Sequence, residues 1–340
     1  MKKLLLTLLL FSCIASVSLA QDPNFSQFFA SPLTLNPALT GKFDGSFRLA
    51  GNYRNQWPSI NNAFVTKTGS GDFHLLRNNL PEIDRWGIGV LFMNDQNGNG
   101  ALRTNQFSLS TAYHKGLDED GFHQIGVGFQ GSYTDKSLNV SILDFEDELT
   151  ALGFTGNTTE IFTQSDLQVK YMDINAGILY NGSSNGYNNF YLGASMYHIN
   201  RPKETFQGGE FYLNSRTTLH GGARLPTNQY NAFHFSANYS FQANANNLMF
   251  GGAYALNINY DEENPVNVYL GAWARFNNVT DAVIPYIGVE FGDVQVGASY
   301  DVNISSLQPA SNMRGGFELS VIYIKKPVDG SLKKLNCPKF

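Results

Sequence analysis

Long stretches of strict alternation between apolar and polar side chains are the feature of this sequence that most limits its fold. In FHFSANYSF, residues 233–241, Phe, Ala and Tyr occupy the odd positions, and His, Ser and Asn occupy the even positions. DVQVGASYDVN, residues 293–303, alternates in the same way. Successive side chains of a β-strand point to opposite faces, whereas a helix repeats about every 3.6 residues. The pattern therefore predicts strands with one apolar and one polar face.

Fourteen such segments can be counted along the chain. They lie at roughly 43–55, 62–75, 85–94, 103–115, 122–134, 168–181, 189–199, 213–225, 231–242, 247–257, 265–276, 282–291, 293–303 and 313–325. Most exceed the usual length of soluble strands, about five or six residues, and suit tilted membrane strands, which need about nine to eleven. Bacterial outer-membrane barrels have an even number of antiparallel strands. The sequence thus predicts an all-β fold, a transmembrane antiparallel β-barrel of about 14 strands over residues 43–326.

The gaps between these segments alternate in length. Gaps after the even-numbered segments are short, and the three longest, near 135–167, 200–212 and 304–312, follow odd-numbered segments. Outer-membrane barrels have short periplasmic turns and longer external loops. The expected orientation therefore has both the N and the C terminus in the periplasm.

The two faces have the composition expected of a membrane barrel. Phe and Tyr are abundant, at 26 and 17 residues, and only 15% of residues are charged. Eight strands make a barrel that side chains can fill, and sixteen leave an aqueous channel. A lumen of about fourteen strands, lined by Gln, Ser, Asn and Gly, should therefore be wetted, plugged or both. A soluble β-sandwich with its apolar faces turned inward remains the alternative, because alternation alone does not distinguish the two folds.

Charged residues on the polar face are expected to brace the lumen through salt bridges rather than to form a selectivity filter. The arginines are Arg48, Arg54, Arg103, Arg216, Arg224 and Arg275, and the acids are Asp166, Asp173, Glu290, Asp301 and Glu318.

The N-terminal twenty residues have the pattern of a signal peptide. Lys2 and Lys3 precede an apolar run that ends in Ser18-Leu19-Ala20, a small-x-small cleavage site. Their removal lowers the formal charge from −5 to −7, and this mild acidity argues against a nucleic-acid partner. A lipoprotein site at Cys13 is a poorer interpretation, because bulky Phe11 lies just ahead of it. The remaining Cys337, in a predicted periplasmic tail at 327–340, has no partner for a disulfide or zinc site.

Two segments outside the strands are candidate interaction sites. The leader, residues 21–42, contains Phe25, Phe28 and Phe29, and its three prolines prevent a long helix. It would plug the lumen, bind a periplasmic partner, or merely close the lower rim. The long loop at 135–167 contains Phe145, Glu146 and Asp147, and would form an external lid or partner surface, or simply a solvated loop.

Nothing in the sequence indicates catalysis. The six histidines are scattered over different segments and match no nucleophile or metal motif, and the shared face of Ser110 and His114 does not make a triad. The acids of the long loop lack the glycine turn of an EF-hand calcium loop. We therefore expect no catalytic, cofactor-binding or metal-binding residues, with an outer-membrane hydrolase as the remote alternative.

Several short motifs together resemble the PorP/SprF family of outer-membrane proteins. They are Asp22-Pro23-x-Phe25-Ser26-Gln27, Asn36-Pro37-Ala38 with Gly41 close behind, Tyr53-Arg54-Asn55-Gln56-Trp57, and the late GGFELSVIY and NCPKF. The resemblance covers the whole chain after the signal peptide. One departure is SPLTLNPAL, where many relatives carry a bulky aromatic beside the Asn-Pro-Ala motif; this bears on subfamily rather than membership.

The resemblance implies a non-enzymatic part of the Bacteroidetes type IX secretion and gliding apparatus. Such proteins partner secreted adhesin-type cargo through its C-terminal sorting domain and support its secretion and cell-surface anchoring. Some are expected to contact periplasmic ring or peptidoglycan-associated components. A passive or substrate-selective pore is the alternative function.

The Tyr53–Trp57 motif has two interpretations. Tyr53, Arg54 and Trp57 follow the first strand to the membrane boundary, where aromatic rings anchor and an arginine can reach head groups. The other interpretation is a role in conformational change or cargo binding.

Overall fold

The computed structural model describes residues 22–60, 63–76, 79–163, 167–206, 209–260, 266–277, 281–305 and 313–325. The predicted signal peptide, the tail at 327–340 and Asp166 lie outside these residues. None of the helices in the described ranges is long and apolar enough to cross a membrane.

Fourteen antiparallel strands form one closed barrel. They are β1 (Phe47–Gln56), β2 (Phe64–Leu75), β3 (Arg85–Asn97), β4 (Leu102–Gly116), β5 (Gln124–Leu138), β8 (Gln168–Gly182), β9 (Asn189–Tyr197), β10 (Arg216–Pro226), β11 (Ala232–Gln242), β12 (Ala245–Asn257), β13 (Val266–Phe276), β14 (Ala282–Phe291), β15 (Val294–Asn303) and β16 (Arg314–Ile324). Each strand pairs with the next, β5 pairs with β8, and β1 pairs with β16 to close the ring. The intervening β6 (Leu149–Thr150) and β7 (Gly153–Phe154) form a small hairpin in the long loop.

The predicted barrel is confirmed, with small shifts at the strand ends. The first strand begins at Phe47 rather than near residue 43, because Phe43 turns inward and stacks on His74, with ring centroids 4.7 Å apart. The fifth strand continues to Leu138 rather than ending near residue 134. Here β5 keeps its pairing with β4 and β8 beyond the point where the alternation weakens.

The apolar face of the strands points outward and the polar face points inward. On β11, Phe233, Phe235, Tyr239 and Phe241 are exposed, whereas the alternating His, Ser and Asn side chains are buried. A sandwich with a dry centre would have the opposite arrangement. The outward apolar band matches a barrel surrounded by lipid.

The N-terminal leader fills the lumen, and we call residues 22–43 the plug. It consists of three single turns, at Phe28–Ala30, Pro32–Leu35 and Pro37–Leu39, so the expected absence of a long helix holds. Asn36 separates the second and third turns, and its side chain accepts a hydrogen bond from the Ala38 N–H over 2.8 Å. Proline begins the second and third turns, and it suits this position because it has no N–H that would need a partner.

A strip of apolar residues joins the plug to one side of the barrel wall. The plug contributes Phe28, Leu35, Ala38 and Leu39, and the wall contributes Leu179, Tyr191, Met249, Ala253, Ala255, Tyr269, Trp273, Ala282, Ile284 and Tyr286. Phe29 packs against this cluster, 4.9 Å from the Trp273 ring and 5.5 Å from the Tyr286 ring. The apolar core of this barrel therefore lies inside the lumen, between the plug and the wall.

The plug runs through the barrel from one end to the other. We call the end where β1 finishes the loop rim, and the end where β1 begins the turn rim. Asp22 donates its N–H to the side chain of Gln242, the last residue of β11, at the loop rim. Lys42 donates to Gln124, the first residue of β5, at the turn rim.

The two described ends of the chain therefore lie at opposite rims. The N–H of Lys325 bonds the carbonyl of Phe47 at the turn rim, far from Asp22. This separation arises because the plug carries the chain across the lumen before β1 begins. Which rim faces the periplasm stays a prediction.

Candidate functional site

The plug is held near the loop rim by a carboxylate that receives two backbone N–H groups. Ser26 and Gln27 donate to the two oxygens of Glu318 over 2.8 and 2.9 Å. The Gln27 side chain donates to Ser299 Oγ and to the Glu318 carbonyl, and accepts from Ser320 Oγ. Every polar group of Gln27 thus has a partner on the wall or within the plug, so this segment is held in one defined position.

Arg54 connects the Ser26–Gln27 segment to a buried ionic cluster. Its guanidinium lies 3.0 Å from Glu318 and 2.7 Å from Asp301, and it donates to Ser26 Oγ over 2.5 Å. Arg275 is the second cation and pairs with Asp301. The four side chains are at most 7% exposed. Buried charges are tolerated only when paired and hydrogen-bonded, and here two cations meet two anions.

This cluster lies on the seam that closes the barrel. Arg54 of β1 stands directly opposite Glu318 of β16, the last strand. Because Ser26 contacts Arg54, Glu318 and Asp301 together, the plug bridges the first strand to the last two. The plug therefore stabilises ring closure as well as filling the lumen.

Salt bridges do brace the lumen, although the predicted set is only partly used. Arg48 pairs with Asp72 at 2.8 Å, and Asp72 also accepts the Gly41 N–H of the plug. In contrast, Arg103 is exposed and donates to the Gly100 carbonyl. Asp72 was not among the predicted acids, because its strand mixes Thr, Gly and Ser and its polar face is hard to recognise in the sequence.

In its middle section the plug backbone approaches the wall at glycines. Asn36 donates to the carbonyls of Ile178 and Ala194, over 3.0 and 3.3 Å. A Cβ on Gly177 would lie 1.9 Å from Asn36 Oδ1, and one on Gly128 would lie 2.4 Å from the Ala38 nitrogen. Glycine is required at both positions because any side chain would occupy the space of the plug. This explains why glycine recurs on the polar face of these strands.

A larger residue at Gly128 should therefore destabilise the plugged barrel. For Gly128→Val we expect a loss of about 1–3 kcal/mol, the usual cost of overpacking, because the new side chain meets plug backbone rather than a flexible side chain. Gly131→Val on the same strand is the matched control, since a Cβ there meets nothing within 4 Å. Denaturant unfolding in detergent measures both, and equal stability of the two variants would contradict the close approach.

At the loop rim a second charged group fixes the start of the plug. Asp22 lies 2.8 Å from His198 Nε2 and 3.4 Å from Arg216 Nε, and His198 Nδ1 lies 2.7 Å from Asp173. Burial opposes a charge on His198, but the two carboxylates outweigh it and raise its pKa to about 9. His198 is therefore cationic at neutral pH and pairs with the plug.

The three phenylalanines predicted as partner contacts lie inside the barrel. Phe25 and Phe28 are buried, and Phe29 is partly buried against Trp273. As placed, Phe28 and Phe29 pack in the apolar cluster between the plug and the wall. A partner role for them remains a prediction that requires the plug to leave.

The Tyr53–Trp57 motif is divided between the two faces of the wall. Tyr53 lies on the outer surface beside Phe317, and Trp57 packs on Phe64, in an aromatic group close to the loop rim. Arg54 instead points inward, with its side chain 3% exposed, so it does not reach lipid head groups. The alternation of Tyr53 and Arg54 along β1 already indicated that their side chains point to opposite faces of the wall. Arg54 lies on the inward face, which binds the plug.

The predicted residues of the long loop lie together outside the barrel. Phe145 packs on Phe162, with ring centroids 5.5 Å apart, and Glu146 is exposed. Asp147 is exposed and accepts hydrogen bonds from Thr158 Oγ1 and from the Thr159 N–H and Oγ1. These contacts tie the two arms of the loop to each other.

The histidine and serine weighed for catalysis both serve the plug. Ser110 accepts a hydrogen bond from Thr40 Oγ1, and a ring nitrogen of His114 lies 3.1 Å from the Thr40 carbonyl. Among the residues that the structure describes, no group of three or more His, Cys, Asp or Glu side chains is arranged to hold a metal.

Solved structures share this architecture. The chain resembles the CymD monoaromatic hydrocarbon channel, with 8% identity, coverage of 88% of this chain and 94% of that chain, and a TM-score of 0.51. For the TodX deltaS2S3 mutant monoaromatic hydrocarbon channel the values are 9%, 90%, 95% and 0.50. At such identities the likeness shows the fold alone. Curated proteins gave no significant sequence match. The fold and its filled lumen define a class, the plugged β-barrels of the outer-membrane type.

A family model assigns the chain more closely. The model described as type IX secretion system membrane protein PorP/SprF matches residues 17–323. The chain belongs to this family, as the motifs predicted. The family and the barrel together support a location in the outer membrane.

The family motifs and the site coincide in space. Ser26 and Gln27 of the first motif, Arg54 of the third and Glu318 of GGFEL meet in one buried cluster. Segments separated by 292 residues in the chain are thus in direct contact. Asp301 belongs to none of the motifs, but it was among the acids predicted to brace the lumen, and it pairs with Arg54 and Arg275.

Proposed function

We propose that this protein is a non-enzymatic partner of type IX secretion cargo in the outer membrane. It binds the C-terminal domain of adhesin-type secreted proteins and holds them at the cell surface. The observation that carries the proposal is the family match over residues 17–323, on a barrel whose lumen is filled by its own N-terminal segment. A filled lumen leaves the rims as the faces on which partners are recognised.

The plug argues against the alternative of an open pore. Hydrogen bonds join it to the wall at both rims and in the middle. Beside it, near the loop rim, lies a cavity of about 130 Å³. Purified protein in planar bilayers should therefore show no steady conductance, and stable open channels would favour the pore.

Deletion of the gene tests the cargo role directly. In a strain without paralogues, we expect large surface adhesins to leave the cell fraction and to appear in the medium or to fail secretion. Mass spectrometry of shaved cells and of the medium measures this. Restoration by the wild-type gene is the control, and unchanged surface retention in the deletion strain would contradict the proposal.

A further inference from the structure

The long loop at the loop rim exposes a group of large apolar side chains. Four side chains form it, and their exposed fractions are 59% for Leu149, 101% for Leu152, 54% for Phe154 and 88% for Ile161. We call these four residues the apolar tip. Leaving such side chains in water forgoes the stabilisation that burial gives, so their presence together requires an explanation.

The loop that carries the apolar tip is built by internal contacts. The β6–β7 hairpin turns at Leu152, and the Thr155 N–H closes it onto the Glu148 carbonyl over 2.9 Å. Asp147 ties this hairpin to Thr158 and Thr159, and Phe145 packs on Phe162. Phe145 and Asp147 thus stabilise the loop through internal contacts, whereas the side chains of the apolar tip remain exposed.

Acidic side chains lie beside the residues of the apolar tip in the sequence. Between residues 139 and 163 the sequence has five acidic residues and no Lys or Arg. Four of the five are exposed: Asp144, Glu146, Asp147 and Glu160. These charges oppose insertion of the tip into a membrane surface, because lipid head-group regions are commonly anionic. They instead complement a protein surface on which Lys or Arg side chains border an apolar patch.

We propose that the apolar tip and its acidic border are the docking surface for a secreted protein with a basic, apolar face. This inference rests on the proposed function and specifies where, and by which chemistry, the cargo domain is held. Apolar contact supplies the affinity, and the charges supply orientation and a faster encounter.

Binding of single cargo domains to the full-length protein in detergent tests this surface. The probes are the C-terminal sorting domains encoded in the source genome, each purified separately. For Leu152→Ser combined with Ile161→Ser we expect affinity for the bound domain to fall roughly tenfold or more, since truncation of central apolar contacts has this effect. We expect wild-type binding to weaken as salt is raised, and for Glu146→Lys with Glu160→Lys we expect weaker binding without this salt dependence.

The control and the contrary outcomes separate this inference from the proposed function. Leu117→Ser with Tyr187→Ser removes two exposed apolar side chains at the turn rim, 57% and 75% exposed, and should leave binding unchanged. Wild-type binding that the loop variants do not weaken would overturn the assignment to the loop and keep the cargo role. Absence of binding by every domain to the wild type would remove the cargo role and this inference together. Quenching of a Leu152→Trp variant by brominated lipid would place the tip in the membrane and overturn the inference alone.

Discussion

Deletion of residues 22–41 should prevent formation of the folded barrel. The plug buries Phe25, Phe28, Leu33 and Leu35 against or near the wall. At about 1.5–3 kcal/mol for each buried side chain, these four alone contribute roughly 6–12 kcal/mol, comparable to the whole stability of a typical domain. The deletion also leaves Glu318 without its two N–H donors. Folding is measured by the mobility of unheated samples on gels and by circular dichroism.

The matched control for this deletion removes the same length of chain from the outside. Deletion of residues 143–162 takes twenty residues from the exposed loop and should leave the barrel folded. Addition of a synthetic peptide of residues 22–43 during refolding should partly rescue the plug deletion. A plug-deleted protein that folds and melts like the wild type would refute a structural role for the plug.

Arg54→Ala should have the largest effect of any single substitution in the lumen. It removes one of two cations from a cluster with two buried carboxylates, so that a negative charge remains uncompensated. Breaking a buried pair in this way costs about 3–5 kcal/mol. The free energy of unfolding in detergent, followed by tryptophan fluorescence, measures the loss.

Arg103→Ala provides the comparison for Arg54→Ala. Arg103 is exposed, and its substitution should cost less than about 1 kcal/mol. Arg54→Met combined with Glu318→Gln should be less destabilising than Arg54→Ala alone, because Asp301 still pairs with Arg275 and no unpaired buried charge remains. Equal stability of the Arg54→Ala and Arg103→Ala variants would contradict the buried cluster.

The barrel could be predicted from the sequence because its two faces differ so regularly. Alternation such as that of residues 233–241 fixes which side chains face lipid, and the even count of segments follows from the same pattern. The order of strand pairing is then also predictable, since short gaps bring consecutive segments side by side. The ends of strands were less predictable, because Phe43 continues the alternation but leaves the sheet to stack on His74.

The site could not be predicted from the same pattern, because it depends on contacts between distant parts of the chain. Nothing local in Phe25-Ser26-Gln27 reveals that two consecutive N–H groups meet the carboxylate of residue 318. Arg54 illustrates the difficulty: its neighbours Tyr53 and Trp57 are typical of a membrane boundary, yet its own side chain points into the lumen. Glycines on the inward face, such as Gly128, are recognisable in the sequence. The pattern indicated a lining of the lumen rather than space for a plug.

The path of the plug bears on the order of events when the protein is exported. Residue 22 precedes every strand, yet it lies among the long connections at the far end of the cylinder. The plug thus spans the barrel from rim to rim without a strand of its own. We expect the wall to close around this segment during folding, because Ser26 and Gln27 bond Glu318 on the strand that completes the ring.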